Sequence, residues 1–324
     1  MSRSTNQQSN GSSSGRASGP DFLCIGQQKA GTQWLYDMLQ FQPGFWVTPV
    51  KELHFLNERF RIKTIKNQYS LLTKNLEHIN KRRMTNTRRS LDERDMQFFE
   101  HAVTYDENHA SLDWYRDLFA PKGTLLSGDV TPAYSALDDG KIARLAEAMP
   151  HLRIILLLRD PVSRVWSHFN MRMRVRIIGG PNLYNAKAAS EDTVSAFYRE
   201  TSVKKIAKFL NRRNVSRKSF PTVIYRNWRR HFDASQIRIV FFDDIVQVPE
   251  VARQSVLEFF DLQDTGTPAA EVPSDFNRKA QNPKRPMSDE VRAFLIEAFR
   301  QELLQCAETF GGPAEQWPGR YGVV

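Results

Sequence analysis

The segment Phe22-Leu23-Cys24-Ile25-Gly26-Gln27-Gln28-Lys29-Ala30-Gly31-Thr32 sets the fold class. Its first four residues form an unbroken apolar run, the pattern of a short strand buried on both faces. Gly26 ends that run, and from Thr32 to Gln40 the residues Trp34, Leu35, Met38 and Leu39 fall on one face of a helix. A strand that enters a helix through a turn with glycine at both ends exposes successive backbone N–H groups beside a helix N-terminus. That is the geometry for holding a phosphate. The Gly26-x4-Gly31 spacing matches the opening of a Walker A loop, but Thr32 stands where that loop needs lysine, and Lys29 lies inside the turn instead.

Beyond this segment, further strands are predicted at 45–47, 124–126, 153–158 and 237–242. Helices are predicted at 138–149, 162–173, 191–210, 248–260 and 289–310. Strands alternating with helices predict an α/β fold, P-loop-like, with a central and mainly parallel sheet flanked by helices. No repeat and no Pro-, Gly- or Ser-rich linker divides residues 21–324, so they are read as one domain. Residues 1–20 hold seven Ser and three Gly and no large aliphatic side chain beyond Met1, which predicts a disordered tail. That tail lacks the apolar stretch of a secretory signal. The longest aliphatic run, Ile154 to Leu158, is far too short to span a membrane. Two cysteines, Cys24 and Cys306, make neither a disulfide framework nor a zinc pattern, so a reducing, cytoplasmic location is expected.

Charge is the conspicuous bulk property. The chain carries 46 Lys+Arg against 36 Asp+Glu, a net charge of +10, which predicts an anionic partner. The excess is concentrated: residues 199–230 hold eleven cations and one acid, Glu200, while 57–96 hold eleven cations and five acids with weak periodicity. Such a run is read either as a solvated face or as a groove wall for a polyanionic acceptor.

A second motif follows the apolar strand at 154–158: Arg159-Asp160-Pro161-Val162-Ser163-Arg164-Val165-Trp166-Ser167-His168-Phe169. Arg159 falls at the carboxyl end of a buried strand, where α/β sheets bind ligands, and Pro161 suits the first turn of the next helix. A guanidinium and the Ser167 hydroxyl converging on one phosphate would be good anion chemistry.

Together these stretches resemble the sulfotransferases that use 3′-phosphoadenosine-5′-phosphosulfate (PAPS), particularly the carbohydrate, heparan-sulfate-like branch. Gly26 to Leu35 resembles their 5′-phosphosulfate loop, and Arg159 to Phe169 their 3′-phosphate motif. Lys51-Glu52-Leu53-His54-Phe55 is similar to the Lys-Glu-x-His-Phe element of the glycan branch, and Thr131-Pro132-Ala133-Tyr134 to its Thr-Pro-Ala-Tyr segment.

The resemblance implies that Gln28, Lys29, Ala30, Gly31, Thr32 and Gln33 cradle the 5′-phosphate, and that Arg159 and Ser167 read the 3′-phosphate. Trp34 is read either as an adenine neighbour or as core. It further implies PAPS as co-substrate with no metal, a carbohydrate or other hydroxyl-bearing acceptor, and Glu52 as the base that takes the acceptor proton. His54 is the alternative base, as in small-molecule sulfotransferases. Glu52 and His54, two residues apart in a strand, would face one cleft. The chain departs from the branch at Gln28 and Val130, where Arg and Lys are common, and both changes argue against a heavily sulfated acceptor there. Arg278 and Lys279 occupy the place of the family's basic loop over the nucleotide, without its usual Lys-Gly-Arg order.

Two other classes are weighed. A P-loop kinase or NTPase would use Asp160 as a Mg²⁺ ligand, but the displaced lysine and the preceding Arg159 count against it. A nucleic-acid-binding protein would fit the charge, but no helix-turn-helix, RNP or zinc pattern accompanies it.

Overall fold

The computed structural model describes residues 18–85, 88–178, 201–262 and 286–323. Its centre is a four-stranded, wholly parallel sheet in the order β2-β1-β3-β4. The strands are β1 (Phe22–Gly26), β2 (Gly128–Val130), β3 (Arg153–Leu158) and β4 (Ile237–Phe241). The α/β expectation therefore holds, and helices cover both faces of the sheet. Side chains alternate between two cores: Leu23, Ile25, Ile154, Leu156 and Leu158 join one cluster, while Phe22, Cys24, Ile155 and Leu157 join the other with Trp34, Leu35 and Val240. Burial on both faces explains why β1 and β3 are unbroken apolar runs.

Six helices fill the connections between the first three strands and lead out of β3: α1 (Thr32–Phe41), α2 (Ile62–Thr85), α3 (Glu93–Ala102), α4 (Leu112–Asp117), α5 (Asp139–Ala148) and α6 (Pro161–Ile178). The chain leaves β1 toward β2 on one side and β3 toward β4 on the other. The carboxyl ends of β1 and β3 thus flank the point where the winding reverses, which is where open α/β sheets bind ligands.

Several expectations shift. The strand expected at 124–126 lies four residues later, at β2. Leu126 instead exchanges backbone hydrogen bonds with Gly44 and Trp46 (Leu126 N to Gly44 O 2.8 Å, Trp46 N to Leu126 O 2.8 Å). Pairing with β1 begins at Gly128, where any Cβ would lie 2.4 Å from the Phe22 carbonyl oxygen. Close backbone approach selects glycine there and hides the strand from a propensity reading. The strand expected at 45–47 is a single bridge, Phe45 to Leu126. The weakly periodic 57–96 stretch contains α2, interrupted at Asn75, whose Oδ1 accepts from the His78 N–H and restarts the helix.

The body begins earlier than Asp21: Gly19 and Pro20 are buried, and Lys122 Nζ donates to the Gly19 carbonyl at 2.7 Å. Residues 1–17 of the expected tail, the 191–200 part of the expected 191–210 helix, Arg278 and Lys279 lie outside the described residues. Among the described residues no helix is long and apolar enough to cross a membrane. Both cysteines are buried as free thiols, and burial pushes Cys24 up to about 12, so it is unreactive.

Candidate active site

The turn after β1 is built by its own backbone. Gln27 N donates to the Leu157 carbonyl of β3 (2.8 Å), Ala30 N to Gln27 O (3.2 Å), and Leu35 N to Gly31 O (3.1 Å), which opens α1. Gly26 and Gly31 have φ of 125° and 105°, values open to glycine and strained for other residues. At Gly31 a Cβ would also meet Ile245 Cδ1 at 2.7 Å. Lys29 itself has φ of 73°. Gln28 and Lys29 are half-buried at the mouth of this cradle, Ala30 and Gly31 are buried, and Thr32 starts α1. Gln33 is exposed and spends its amide on Asp37 (2.8 Å), whereas Trp34 is only 4% exposed and packs in the core.

Arg159 leaves the end of β3 and closes on the same turn. Its Nη1 donates to the Lys29 carbonyl at 3.2 Å, and its guanidinium lies 4.4 Å from the Phe242 ring centroid. The ring contact is worth roughly 0.5–2 kcal/mol and fixes the cation in place. Burial lowers the guanidinium's affinity for its proton, opposed first by the Asp160 carboxylate. Asp160 is fully engaged. It caps α6 by accepting from Ser163 N (2.8 Å), and it accepts from Tyr321 (2.5 Å) and Arg320 (3.4 Å). A buried, helix-capping carboxylate held by a tyrosine and an arginine is poorly placed to bind Mg²⁺, which weakens the kinase alternative. Ser167 is half-buried about two turns along α6. Among the described residues no hydrogen bond joins it to Arg159.

The Lys51–Asn57 segment is not a strand, contrary to expectation. Glu52 and His54 have φ of 61° and 59°, so the backbone coils through left-handed turns that a strand excludes. Yet the two side chains meet, because the turn itself folds them together. Glu52 Oε2 lies 3.5 Å from His54 Nε2, Glu52 Oε1 accepts from Lys51 Nζ at 3.1 Å, and His54 Nδ1 faces Asn57 Oδ1 at 3.2 Å. Lys51 Nζ also reaches Thr32 Oγ1 at 3.4 Å, so this cluster abuts the phosphate cradle. Burial pushes the Glu52 carboxyl up, but the contacts with His54 and Lys51 outweigh it and hold it at about 2. Three of the five non-glycine residues with positive φ among the described residues are Lys29, Glu52 and His54. Such residues cost about 1–3 kcal/mol each, and these three lie in the turn after β1 and in the segment that contacts its end.

What holds that turn was not legible in the sequence. Asp129, buried in the middle of β2, accepts from Thr131 Oγ1 (2.6 Å), Tyr134 OH (2.6 Å) and Tyr115 OH (3.1 Å). Burial raises its carboxyl, and the three hydroxyls oppose that rise. Tyr134 OH then accepts from the Leu56 N–H (3.4 Å), and Phe55 stacks on Tyr115 with ring centroids 4.7 Å apart. Thr131 and Tyr134 belong to the Thr-Pro-Ala-Tyr segment, but only the fold brings in Tyr115. Two further residues surround the cradle. Arg164 is fully buried, donating to Gln28 O (3.4 Å) and Ser219 Oγ (2.7 Å). Gln27 Nε2 donates to the Lys218 carbonyl at 3.2 Å.

Comparisons with known proteins bear on the fold and the family. A sulfotransferase from Alicyclobacillus acidocaldarius superposes with a TM-score of 0.54 at 17% identity, covering 93% of this chain and 99% of that one, a likeness of fold. The sulfotransferase domain of the Synechococcus PCC 7002 olefin synthase aligns with a TM-score of 0.47 at 16% identity over 92% and 97% of the two chains. No curated protein matches the sequence. The profile described as Sulfotransferase family matches residues 20–266, from the strand before the phosphate cradle to beyond β4. That span is well over half of the 324 residues, and the chain belongs to the sulfotransferase family.

Proposed function

We propose that this enzyme moves a sulfuryl group from PAPS to a hydroxyl of a carbohydrate acceptor, with Lys29 stabilising the departing phosphate and Glu52 taking the acceptor's proton. The observation that carries the proposal is the contact chain Thr32–Lys51–Glu52–His54, which sets a carboxylate against the rim of an anion cradle. The residues present fit the donor: backbone N–H groups at a helix start, a lysine inside the turn, and an arginine clamped at the neighbouring strand end. PAPS supplies the activated sulfuryl group, joined to its 5′-phosphate.

Lys29 and the amides of the turn act where charge grows as the S–O bond breaks, so they favour the transition state over the ground state. Arg159, with Ser167, reads the 3′-phosphate and so separates this donor from ordinary adenine nucleotides. Glu52 is ionised at neutral pH and able to accept a proton. The acceptor's O–H bond gives its proton to Glu52, its oxygen bonds to sulfur, and the electron pair of the old S–O bond leaves with the phosphate.

A second assignment is favoured by the low Glu52 value, since a carboxylate held at about 2 is a weak base. In it His54 takes the proton and Glu52 orients the ring. Transfer of labelled sulfate from PAPS to a panel of sugars and simple alcohols, with Glu52→Gln and His54→Ala beside wild type, tests both. Near-normal turnover in Glu52→Gln with loss in His54→Ala would reverse the assignment. Stabilisation by ATP–Mg²⁺ rather than by the product 3′,5′-ADP (PAP) would remove the sulfuryl-transfer proposal in favour of a kinase.

A further inference from the structure

Behind the phosphate cradle, the turn that follows the helix Arg213–Ser216 is fastened to the cradle at two points. Gln27 Nε2 donates to the Lys218 carbonyl (3.2 Å). The Arg164 guanidinium bridges the two segments, with Nη2 on Ser219 Oγ (2.7 Å) and Nη1 on Gln28 O (3.4 Å). The far side of the turn is held as well: the buried Glu302 carboxylate accepts from Thr222 N (2.8 Å) and Thr222 Oγ1 (3.0 Å). Lys218 is thereby carried on a rigid piece of backbone lying against the first residues of the cradle.

The surroundings of Lys218 hold more cations than acids: Arg59 and Arg164 against Glu52, with Asp160 acting on Arg164. Arg164 is completely buried, makes no ion pair with a carboxylate among the described residues, and has an Nε without a hydrogen-bond partner. Buried polar atoms beside it, Gln27 Oε1 and His168 Nδ1, also lack partners. Burial and then the nearby cations Arg164, Lys218, Arg172 and Lys29 press His168 down to about 3, which leaves it neutral. Lys218 is half-buried, Arg59 and Arg164 repel it, and the acid that attracts it is Glu52. A buried guanidinium without an anion costs several kcal/mol, a cost that a bound anion relieves.

From this placement we propose that Lys218, carried on backbone fastened beside the phosphate cradle, is a sulfuryl-binding cation that holds the sulfonate oxygens of the donor. The proposal rests on the sulfuryl-transfer function above. Lys29 serves the bridging and phosphate oxygens, which leaves the sulfonate oxygens to a second cation. Lys218 acts as a charge and donates no proton to the leaving group: it attracts the sulfonate while the acceptor proton goes to Glu52 and the charge departs on the phosphate.

The test compares two ligands that differ only in the sulfuryl group. Binding of PAPS and of PAP is measured calorimetrically for wild type, Lys218→Gln and Lys218→Arg, with melting temperature as a control for folding. Loss of a charge-assisted hydrogen bond is expected to weaken PAPS by about tenfold or more in Lys218→Gln while PAP binding stays within about twofold. Lys218→Arg is expected to recover most of that loss. Equal weakening of both ligands would make Lys218 a phosphate or structural residue, and an unchanged PAPS affinity would remove it from the site; either result overturns the proposal. A wild-type protein that binds neither ligand fails the sulfuryl-transfer function itself, and with it the role of Lys218.

Discussion

The phosphate cradle and the Lys51–Asn57 turn both bend a backbone into positive φ to present side chains to one cleft, yet they are held in opposite ways. The cradle is fixed by short-range backbone bonds, by the β3 edge at Leu157 and by the start of α1. The Lys51–Asn57 turn is fixed by side chains from distant segments: Tyr134 on the Leu56 N–H, Tyr115 under Phe55, and Arg61 Nη1 on the Lys51 carbonyl (3.2 Å). The first rests chiefly on backbone hydrogen bonds, local ones and one to β3, and should depend little on the side chains it presents. The second is a tertiary construction, whose geometry depends on a buried carboxylate in the middle of β2.

This contrast is tested most strongly at Lys29. Lys29→Ala is expected to lower kcat by about 10²- to 10³-fold, as loss of a preorganised charge-stabilising donor does, while the melting temperature holds. A comparable loss of stability would mean that the cradle depends on its lysine for folding, and the contrast would fail. Next is Glu52→Gln, expected to cost about 10²-fold or more in kcat. The pH profile reads the same residue. With Glu52 ionised down to about pH 2, kcat/KM should stay flat through the mildly acidic range, whereas an acid limb there would take the base role away from Glu52.

Arg159→Ala comes third. It should raise the donor's KM by roughly 10- to 100-fold through loss of a charge-assisted contact, with a smaller change in kcat. Tyr134→Phe follows, because it leaves the buried Asp129 carboxylate short of a donor and frees the Leu56 N–H. A loss of about 1–3 kcal/mol in urea unfolding is expected, together with a fall in kcat; Lys29→Ala, by contrast, should lose kcat alone. An unchanged stability would show that the hydroxyl network does not hold the turn. The smallest effect is on acid stability. The Glu52 carboxyl lies below its ordinary value of 4.5 in the folded chain, so its pairing contributes stability above about pH 4.5 and loses it as the pH falls toward 2.

The same contrast explains what could be read in advance. The residues of the cradle, Gly26 to Thr32, and the Arg159 position were legible because a buried strand, a glycine turn and a helix start are all short-range patterns. Glu52 and His54 were expected to face the same way through strand alternation; instead two left-handed turns bring them into contact. β2 escaped notice because a three-residue strand beginning with Gly128 and Asp129 has no β-propensity, and its place is set by close approach to Phe22. Lys218 was hidden in a run of cations that otherwise behaves as a solvated face, with Lys204, Lys205 and Lys208 exposed while Ile206, Phe209 and Leu210 are buried. Net charge could not separate it from its neighbours, since charge has no direction in a sequence.

Hydrophobic periodicity and glycine's freedom at φ values near 105–125° are properties of the chain itself, and they suffice for the α/β scaffold and for the anion cradle at its strand ends. Which carboxylate, which hydroxyls and which of many cations face that cradle became definite only with the folded layers. Those contacts join residues such as Thr32 and Lys51, Tyr115 and Asp129, or Gln27 and Lys218, and their pairing is fixed by the packing around the sheet. Local propensity carries no record of such pairs, because each partner satisfies its own chemistry only once the fold has closed.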